Sequence, residues 1–191
     1  DGLPIGESKY AYDPLSPQVN RDPRFNNTII YDGCLVVNNP NLGGLLYVYT
    51  YQGNSATEDA IHKCTSTGYY IRKLTHHQAR AAIIAPPQSR PLIRYAEILL
   101  NYAEAVNRYY GPQYTEVIGS VEMGPLAALK AIRKRAGIEA GDDGNYGLNP
   151  NMTKVEMEDA IRLERRLELA YEGFRFFDVR RWGIAEQTDN K

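Results

Sequence analysis

Small apolar residues recur at helical spacing in the second half of the chain, and they restrict the folds open to it. In residues 91–110 an apolar stripe advances in steps of three and four, through Ala96, Leu99, Leu100, Ala103 and Val106. Pro91 suits the first helical position, and Gly111 with Pro112 ends the segment. The spacing therefore predicts a helix over about 91–110 with a narrow, alanine-rich packing face.

A second helix is predicted over 125–136, where the apolar positions are Leu126, Leu129, Ile132 and Ala136, and Gly137 ends it. Small side chains on both segments would let two antiparallel helices approach closely. Paired helices of about this length are the unit of tetratricopeptide-type stacks, which repeat every ~34 residues. One such pair cannot bury both of its faces, so further helices are expected to cover it.

A third helix is predicted over 153–172, because Thr153 and Glu156 have the spacing of a capping box. Its predicted packing stripe consists of Ala160, Leu163, Leu167, Ala170 and Tyr171. Gly173 is the expected stop, and a short last helix is predicted over 175–182. Residues 91–191 thus form the predicted helical region.

Residues 1–90 have a different composition, which is rich in Gly, Pro, Asn, Asp and Tyr. Turn signals separate short apolar runs, which predict brief strands at 28–31, 45–51 and 69–74. We expect an irregular, loop-rich segment without a long helix. The expected fold class is mainly α: a portion of a tetratricopeptide-like α-α superhelix with irregular loops and a few short strands.

The charge balance disfavours nucleic acid as a partner, since 22 basic and 23 acidic residues give a net charge of −1. No apolar run is long enough for a membrane span. The opening residues lack a basic region followed by an apolar stretch, so no signal peptide is expected within this chain. Cys34 and Cys64 are compatible with one disulfide or with two buried thiols.

Charge and aromatic rings are crowded together in residues 164–182. Glu164, Glu168 and Glu172 share one helical face, which suggests either a glycosidase-type acid/base pair or a set of ion-pair partners. Nearby arginines favour ion pairing, and they also cancel the field that single-stranded nucleic acid would need. The predicted structural signature comprises Arg94, Glu97, Glu164, Arg165, Glu168, Glu172, Arg175, Asp178, Arg181 and Trp182.

Several segments in series resemble the SusD/RagB family. They are PLIRYAEILLNYAEA at 91–105, ALKAIRKRAG at 128–137 and residues 164–182, with shorter matches at 21–25 and 68–73. They occur in the order typical of that family and cover nearly the whole chain. The resemblance identifies residues 164–182 as a fold signature rather than a ligand site.

The resemblance implies a non-catalytic, lipid-anchored protein on the cell-surface face of the outer membrane. Such proteins bind oligo- or polysaccharides, in some cases peptides, and work with a TonB-dependent transporter of the SusC type in nutrient uptake. The chain resembles the C-terminal part of such a protein, so the lipid anchor is expected outside it. No cofactor and no metal are expected. A peptide-binding tetratricopeptide-like module is the alternative, and a glycoside hydrolase a more distant one.

Exposed tyrosines are the candidate ligand contacts, because 15 of the 20 aromatic residues are tyrosine, whose flat ring and polar tip suit sugars. Tyr47, Tyr49 and Tyr51 alternate and would share one face of a strand, either as a sugar platform or packed against other elements. In the family that the chain resembles, much of the binding site lies just before the region where this chain starts, so Tyr10 and Tyr12 are the favoured candidates. Candidate ligand residues are Tyr10, Tyr12, Tyr47 and Tyr49. A metal at His76 and His77, or calcium in the loop 141–147, is disfavoured.

Overall fold

The computed structural model describes residues 1–39, 44–51, 65–75 and 91–188. The chain forms two compact units, Arg24–Pro91 and a helical unit made of Asp1–Pro23 with Leu92–Lys191. This division differs from the boundary near residue 90 that the sequence predicts, since residues 1–23 join the helices.

Within its described residues, the smaller unit contains one short helix and two antiparallel strand pairs. Helix α1 is Arg24–Thr28, β1 (Ile29–Ile30) pairs with β4 (Tyr70–Ile71), and β2 (Cys34–Asn39) pairs with β3 (Gly44–Val48). Strands β1, β3 and β4 are shorter than the predicted runs, β3 ends before Tyr49, and β2 lies where no strand was predicted. Cys34 is a buried free thiol. Cys64, His76 and His77 lie outside the described residues.

Three longer helices build the helical unit. They are α2 (Tyr95–Tyr109), α3 (Pro125–Ala136) and α4 (Lys154–Glu168), followed by the short α5 (Arg175–Arg181) and α6 (Ala185–Thr188). The α2 stripe is buried as predicted, and Ala103 of α2 and Ala128 of α3 are both fully inaccessible to solvent. The core also includes residues that precede and begin α4, among them Leu148, Met152 and Met157.

Helix α2 begins four residues later than predicted. Pro91 does not occupy the first helical position; Arg94 is the N-cap, with extended backbone angles of φ −120° and ψ 148°. Its guanidinium is held by the carboxylates of Glu168, the last residue of α4, and of Glu172 just after it, which fixes the chain before α2 begins. Helix α4 begins as predicted, because the hydroxyl of Thr153 accepts from the backbone N–H of Glu156 while the Glu156 carboxylate accepts from that of Thr153.

The packing face of α4 differs from the prediction. Leu163 and Leu167 are 46% and 40% exposed, and Tyr171 is 51% exposed. The buried face instead carries Met157, Ile161, Glu164, Arg165 and Glu168. The apolar stripe was the wrong guide because this helix buries charged side chains whose partners lie on neighbouring elements.

A β-hairpin between α2 and α3 is absent from the sequence-based prediction. Strands β5 (Glu116–Ile118) and β6 (Val121–Met123) pair antiparallel around the two-residue turn Gly119-Ser120. Gly119 has a φ of +66°, which glycine adopts without strain. A glycine-serine turn between two β-branched runs is a recognised hairpin signal that could have revealed it.

The first residues of the chain are fixed against the loop between α3 and α4. The carbonyl oxygens of Gly2 and Tyr146 both accept from the Nη1 atom of Arg133, at 3.1 and 2.7 Å. The Asp1 carboxylate accepts from the Ser8 hydroxyl at 2.8 Å and the Lys9 backbone N–H at 3.0 Å. The Asp1 bonds order the segment itself, and the bond from Arg133 to Gly2 joins it to the helical unit.

Candidate functional site

The predicted glutamate ladder of α4 faces arginines, not an open cleft. Glu164 is completely buried, and its Oε2 lies 2.8 Å from Nε of Arg133 on α3. A buried carboxylate is stabilised only when charge and hydrogen-bond partners replace water. Arg133 supplies both, so Glu164 is a structural ion-pair partner.

The other two ladder carboxylates bind Arg94. Its guanidinium donates from Nε and Nη2 to both oxygens of Glu172, at 2.8 and 2.7 Å, and from Nη1 to Glu168 at 2.9 Å. Glu168 also accepts from Arg135 at 2.6 Å. The hydrogen bonds that Arg94 donates to Glu172, and then those to Glu168, raise the pKa of Arg94 although burial opposes this. The start of α2 is thereby joined to the end of α4.

A second network joins α2, α4 and α5. Asp178 accepts from Nε of Arg165 at 2.7 Å and from Nε of Arg181 at 2.9 Å. Arg181 also forms a bidentate pair with Glu104, which accepts in addition from the indole N–H of Trp182 at 3.0 Å. Burial raises the pKa of Glu104, but hydrogen bonds from Arg181 and Trp182 outweigh it and lower the pKa below its ordinary value.

Two members of the predicted signature stay outside these networks. Neither Glu97 nor Arg175 has an ion pair with another described residue. The remaining eight form connected pairs, and Arg133, Arg135 and Glu104 complete them. Sequence reasoning considered Glu104 as an ion-pair partner but missed Arg133 and Arg135, because helical spacing does not reveal which residues of one helix face another.

Tyr10 and Tyr12 lie in the segment that is fixed against the helical unit. Tyr10 is 36% exposed, and its hydroxyl donates to Glu139, whose other oxygen lies 2.8 Å from Nζ of Lys9. The hydrogen bond to Glu139 raises the pKa of Tyr10, while those from Lys9 and Tyr10 lower the pKa of Glu139. Tyr10 therefore presents a ring in a fixed orientation.

The second tyrosine of this pair is more accessible. Tyr12 is 43% exposed, and the guanidinium carbon of Arg21 lies 5.8 Å from its ring centroid. A cation at this distance orients the ring without covering it from all sides. Tyr12 and Tyr10 thus offer two partly exposed aromatic rings near hydrogen-bonding groups.

Tyr47 and Tyr49 lie in the smaller unit, at the end of β3 and just beyond it. They are 41% and 42% exposed, so the rings are not packed away as one interpretation of their alternation suggests. Because β3 ends at Val48, Tyr49 and Tyr51 do not continue the strand. Tyr49 instead makes an edge contact with Tyr51, with 6.5 Å between ring centroids. The backbone N–H groups of Thr50 and Tyr51 donate to Asp32, which fixes this turn.

An additional tyrosine cluster, Tyr109, Tyr110 and Tyr114, lies at the C-terminal end of α2. Tyr110 stacks on Tyr114 at 4.2 Å and contacts Tyr109 edge-to-face at 4.5 Å. The sequence signal was available, since two consecutive tyrosines precede a Gly-Pro turn and a third follows closely.

No cluster of metal ligands is found in the part of the chain that the structure describes, since no three His, Cys, Asp or Glu side chains there could hold a metal ion together. In the loop 141–147, Asp143 accepts from the backbone and side chain of Asn145, both at 2.9 Å. Those hydrogen bonds, the backbone one first, lower the pKa of Asp143. The described helices include none with the length and apolar character of a membrane span.

Comparison with known proteins gives consistent matches. The model of the SusD family matches residues 2–191. The chain is 32% identical over 96 residues to SusD-like protein P2 of Formosa agariphila, an alignment that covers 50% of this chain and 17% of that protein.

Two solved structures from Bacteroides fragilis share the fold. A SusD-like protein aligns with a TM-score of 0.66 at 29% identity, over 90% of this chain and 30% of its own. A SusD-like carbohydrate binding protein aligns with a TM-score of 0.65 at 29% identity, over 92% of this chain and 31% of its own. The chain thus spans less than a third of the length of these relatives. The predicted fold class, mainly α with tetratricopeptide-like helices and a few short strands, is confirmed.

Proposed function

Because the chain belongs to the SusD family, we propose that it is part of a non-catalytic carbohydrate-binding protein on the outer face of the outer membrane. In this proposal the protein is lipid-anchored through a segment outside this chain. It captures oligo- or polysaccharides and passes them to a TonB-dependent transporter of the SusC type for nutrient uptake.

One observation carries the proposal: the fold of 92% of the chain is shared, at 29% identity, with a SusD-like carbohydrate binding protein. The exposed tyrosines give that likeness a chemical basis. A pyranose ring has an apolar C–H face that packs on a flat aromatic ring, while its hydroxyls need planar polar partners. Tyr10 with Glu139 and Lys9 has this combination, and Tyr12 lies two residues further on.

We assign the ligand contacts to Tyr10 and Tyr12, with Tyr47 and Tyr49 as further candidates in the smaller unit. Tyr10 is the strongest of the four because its hydroxyl and ring are both held in place before any ligand arrives. A contact that is already ordered loses less conformational entropy on binding.

The ion pairing of the three glutamates in residues 164–172 favours binding of the carbohydrate without its cleavage. Glycosidases use two carboxyl groups that flank a bond about 5–10 Å apart in a cleft. Glu164, Glu168 and Glu172 are instead occupied by Arg133, Arg135 and Arg94. An acid/base role would require one of them to leave its arginine and reach a substrate.

The proposal is tested with the natural protein that contains this chain. Affinity electrophoresis against a panel of soluble polysaccharides, with reducing ends assayed in parallel, should show retardation by at least one glycan and no new reducing ends. New reducing ends would contradict the non-catalytic assignment. Retention of peptides but of no glycan would replace the proposal with the peptide-binding alternative.

A further inference from the structure

A cavity of about 280 Å³, shallow and broadly open to solvent, lies beside α2 in the helical unit. Its lining consists of Asn101, Glu104, Ala105, Arg108 and Arg181. Pockets for small ligands begin near ~300 Å³, so this volume suits a single ring-sized group and no large cofactor. None of these residues belongs to the tyrosine sites proposed above.

Four of the five lining residues carry planar polar groups: one amide, one carboxylate and two guanidiniums. The Asn101 oxygen accepts from Nη1 of Arg165 at 2.7 Å, while its amide nitrogen has no partner among the described residues. The Arg108 side chain is half exposed and uses Nη2 for its ion pairs. The cavity therefore offers further N–H donors to an entering group.

The charges around the cavity are internally matched. Arg181 pairs with Glu104 and Asp178, and Arg108 pairs with Glu104 and Glu158. Each cationic group thus already has two carboxylate neighbours. An ionic ligand would have to compete with these pairs, whereas a neutral polyhydroxylated group needs only hydrogen bonds and can enter without disrupting them.

An aromatic ring lies one helical turn beyond the cavity. Ala105 and Tyr109 are four residues apart in α2, so they share a face of the helix. Tyr109 is 81% exposed. The Tyr110 ring holds it from one side at 4.5 Å, and Tyr110 is itself stacked on Tyr114.

The loop that carries this tyrosine cluster is anchored at both ends. Nζ of Lys154 donates to the Arg108 carbonyl at 2.6 Å, and Nε2 of Gln113 donates to the Pro150 carbonyl at 3.0 Å. The Tyr114 carbonyl packs closely against Gly124, where a Cβ atom would collide with it. The rings are therefore pre-ordered, which reduces the entropy lost on binding.

We propose that this cavity and the Tyr109 ring together form a carbohydrate subsite for one neutral pyranose unit. The apolar face of the sugar packs on Tyr109, and its hydroxyls face Asn101 and Arg108. The inference rests on the proposed carbohydrate-binding function but adds a second, separate site.

The two sites lie at opposite ends of α3. Tyr10 contacts Glu139 just beyond the C-terminus of α3, whereas Tyr114 packs on Gly124 at its N-terminus. A helix of twelve residues is about 18 Å long. This separation is too large for one sugar ring to contact both tyrosine groups.

The test measures calorimetric binding of neutral hexasaccharides (maltohexaose, xylohexaose, mannohexaose and laminarihexaose) to the natural protein that contains this chain. Tyr109→Ala removes the ring, and Ala105→Leu fills the cavity from an exposed helical position. Each is expected to weaken binding about ten-fold or to remove one class of sites. Tyr109→Phe keeps the ring and should retain most of the affinity.

Two control variants separate ligand binding from folding. Ala105→Ser changes the same position without filling the cavity, and Tyr95→Ala removes a 71% exposed tyrosine of α2 that lies fourteen residues, about 21 Å, from Tyr109. Both should bind as the unaltered protein does, and thermal unfolding should be similar in all variants. Unchanged binding by Tyr109→Ala and Ala105→Leu would overturn the subsite but leave the proposed function standing. Failure of the unaltered protein to bind any glycan would overturn both.

Discussion

Arg133 and Glu164 form an ion pair inside the helical unit, with 2.8 Å between Nε and Oε2 and with side chains only 6% and 0% exposed. The same guanidinium donates to the carbonyls of Gly2 and Tyr146. One side chain of α3 therefore connects α4, the loop before it and the first residues of the chain.

Removing one member of this pair should destabilise the protein strongly. Arg133→Met removes the ion pair that Arg133 forms with the buried Glu164 carboxylate and frees two carbonyls, so we expect a loss of about 3–5 kcal/mol in the free energy of unfolding. Urea unfolding followed by circular dichroism measures this loss.

Two further variants locate the cause. Arg166→Met changes an exposed arginine of α4 and should alter stability by less than about 0.5 kcal/mol. The double variant Arg133→Met with Glu164→Met removes the uncompensated charge and should be more stable than Arg133→Met alone. A double variant as unstable as the single one would show that the lost carbonyl contacts, and not the buried charge, dominate.

Gly147 should tolerate no side chain. Its φ is +74°, and a Cβ atom there would lie 2.5 Å from the Asp1 carbonyl oxygen. Gly144 has a similar φ of +65° but open space around it. Gly144→Ala should cost about 1 kcal/mol for the left-handed backbone alone, and Gly147→Ala about 1–3 kcal/mol more.

Thermal unfolding compares the two glycine variants, and limited proteolysis reports on residues 1–23. We expect faster cleavage of this segment only in Gly147→Ala, because its close approach to the α3–α4 loop is lost. Equal stability and equal cleavage in both variants would mean that the first residues are not held by this contact.

Tyr10 and Tyr12 should each contribute to glycan binding. Tyr10→Ala and Tyr12→Ala each remove an aromatic face, and we expect affinity for the retained glycan to fall roughly 3- to 10-fold. Phe177→Ala, which removes a 67% exposed ring from α5, is the matched control. Affinity electrophoresis on the natural protein compares them. Equal migration of all three variants would remove both tyrosines from the site.

Stability should decline in acid partly through Glu104. Its pKa is lowered in the folded state below the ordinary 4.5, because the hydrogen bonds from Arg181 and Trp182 outweigh the opposing effect of burial. A carboxylate with a lowered folded-state pKa stabilises the fold above its unfolded pKa, and that contribution disappears as pH falls through the folded value.

The variant Glu104→Gln should therefore show a weaker loss of stability between about pH 5 and pH 3 than the unaltered protein, and lower stability at pH 7. Glu122→Gln on the exposed side of β6 serves as the control and should keep the original pH profile. The test is to measure the free energy of unfolding of each variant across this pH range. Identical profiles for Glu104→Gln and the unaltered protein would contradict the assigned linkage.

Helices α2 and α3 could be predicted closely, whereas the orientation of α4 could not. The predicted stripe of α2 is apolar and all five of its residues are buried, so its period identified the packing face, although Glu104 and Asn107 are buried beside it. In α4, two faces compete: one with Leu163 and Leu167, the other with Glu164 and Glu168. Sequence reasoning chose the apolar face because burying an isolated charge is costly, but Arg133, Arg94 and Arg135 remove most of that cost.

The candidate sites, too, could be predicted from the sequence only in part. The tyrosine-rich composition made Tyr10 and Tyr12 reasonable candidates, but their fixed geometry depends on Lys9, Glu139 and Arg21. The cavity beside α2 combines residues of α2 with Arg181 of α5. Glu104 and Arg181 are 77 residues apart in the sequence, and no sequence pattern links them. The Tyr109–Tyr110 pair was visible in the sequence, yet its place beside that cavity was not.

The amino-acid sequence alone was enough to predict the family, the three main helices, the capping box of α4, and the start of α3 at Pro125 and its end before Gly137. These are properties of local spacing, backbone preference and serial motifs. Three features required the three-dimensional contacts: residues 1–23 pack with the helices, α4 buries its charged face, and Arg181 completes a cavity on α2. Each of these depends on which distant residue satisfies a buried polar group, and that energy is set by three-dimensional contact rather than by any periodicity along the chain.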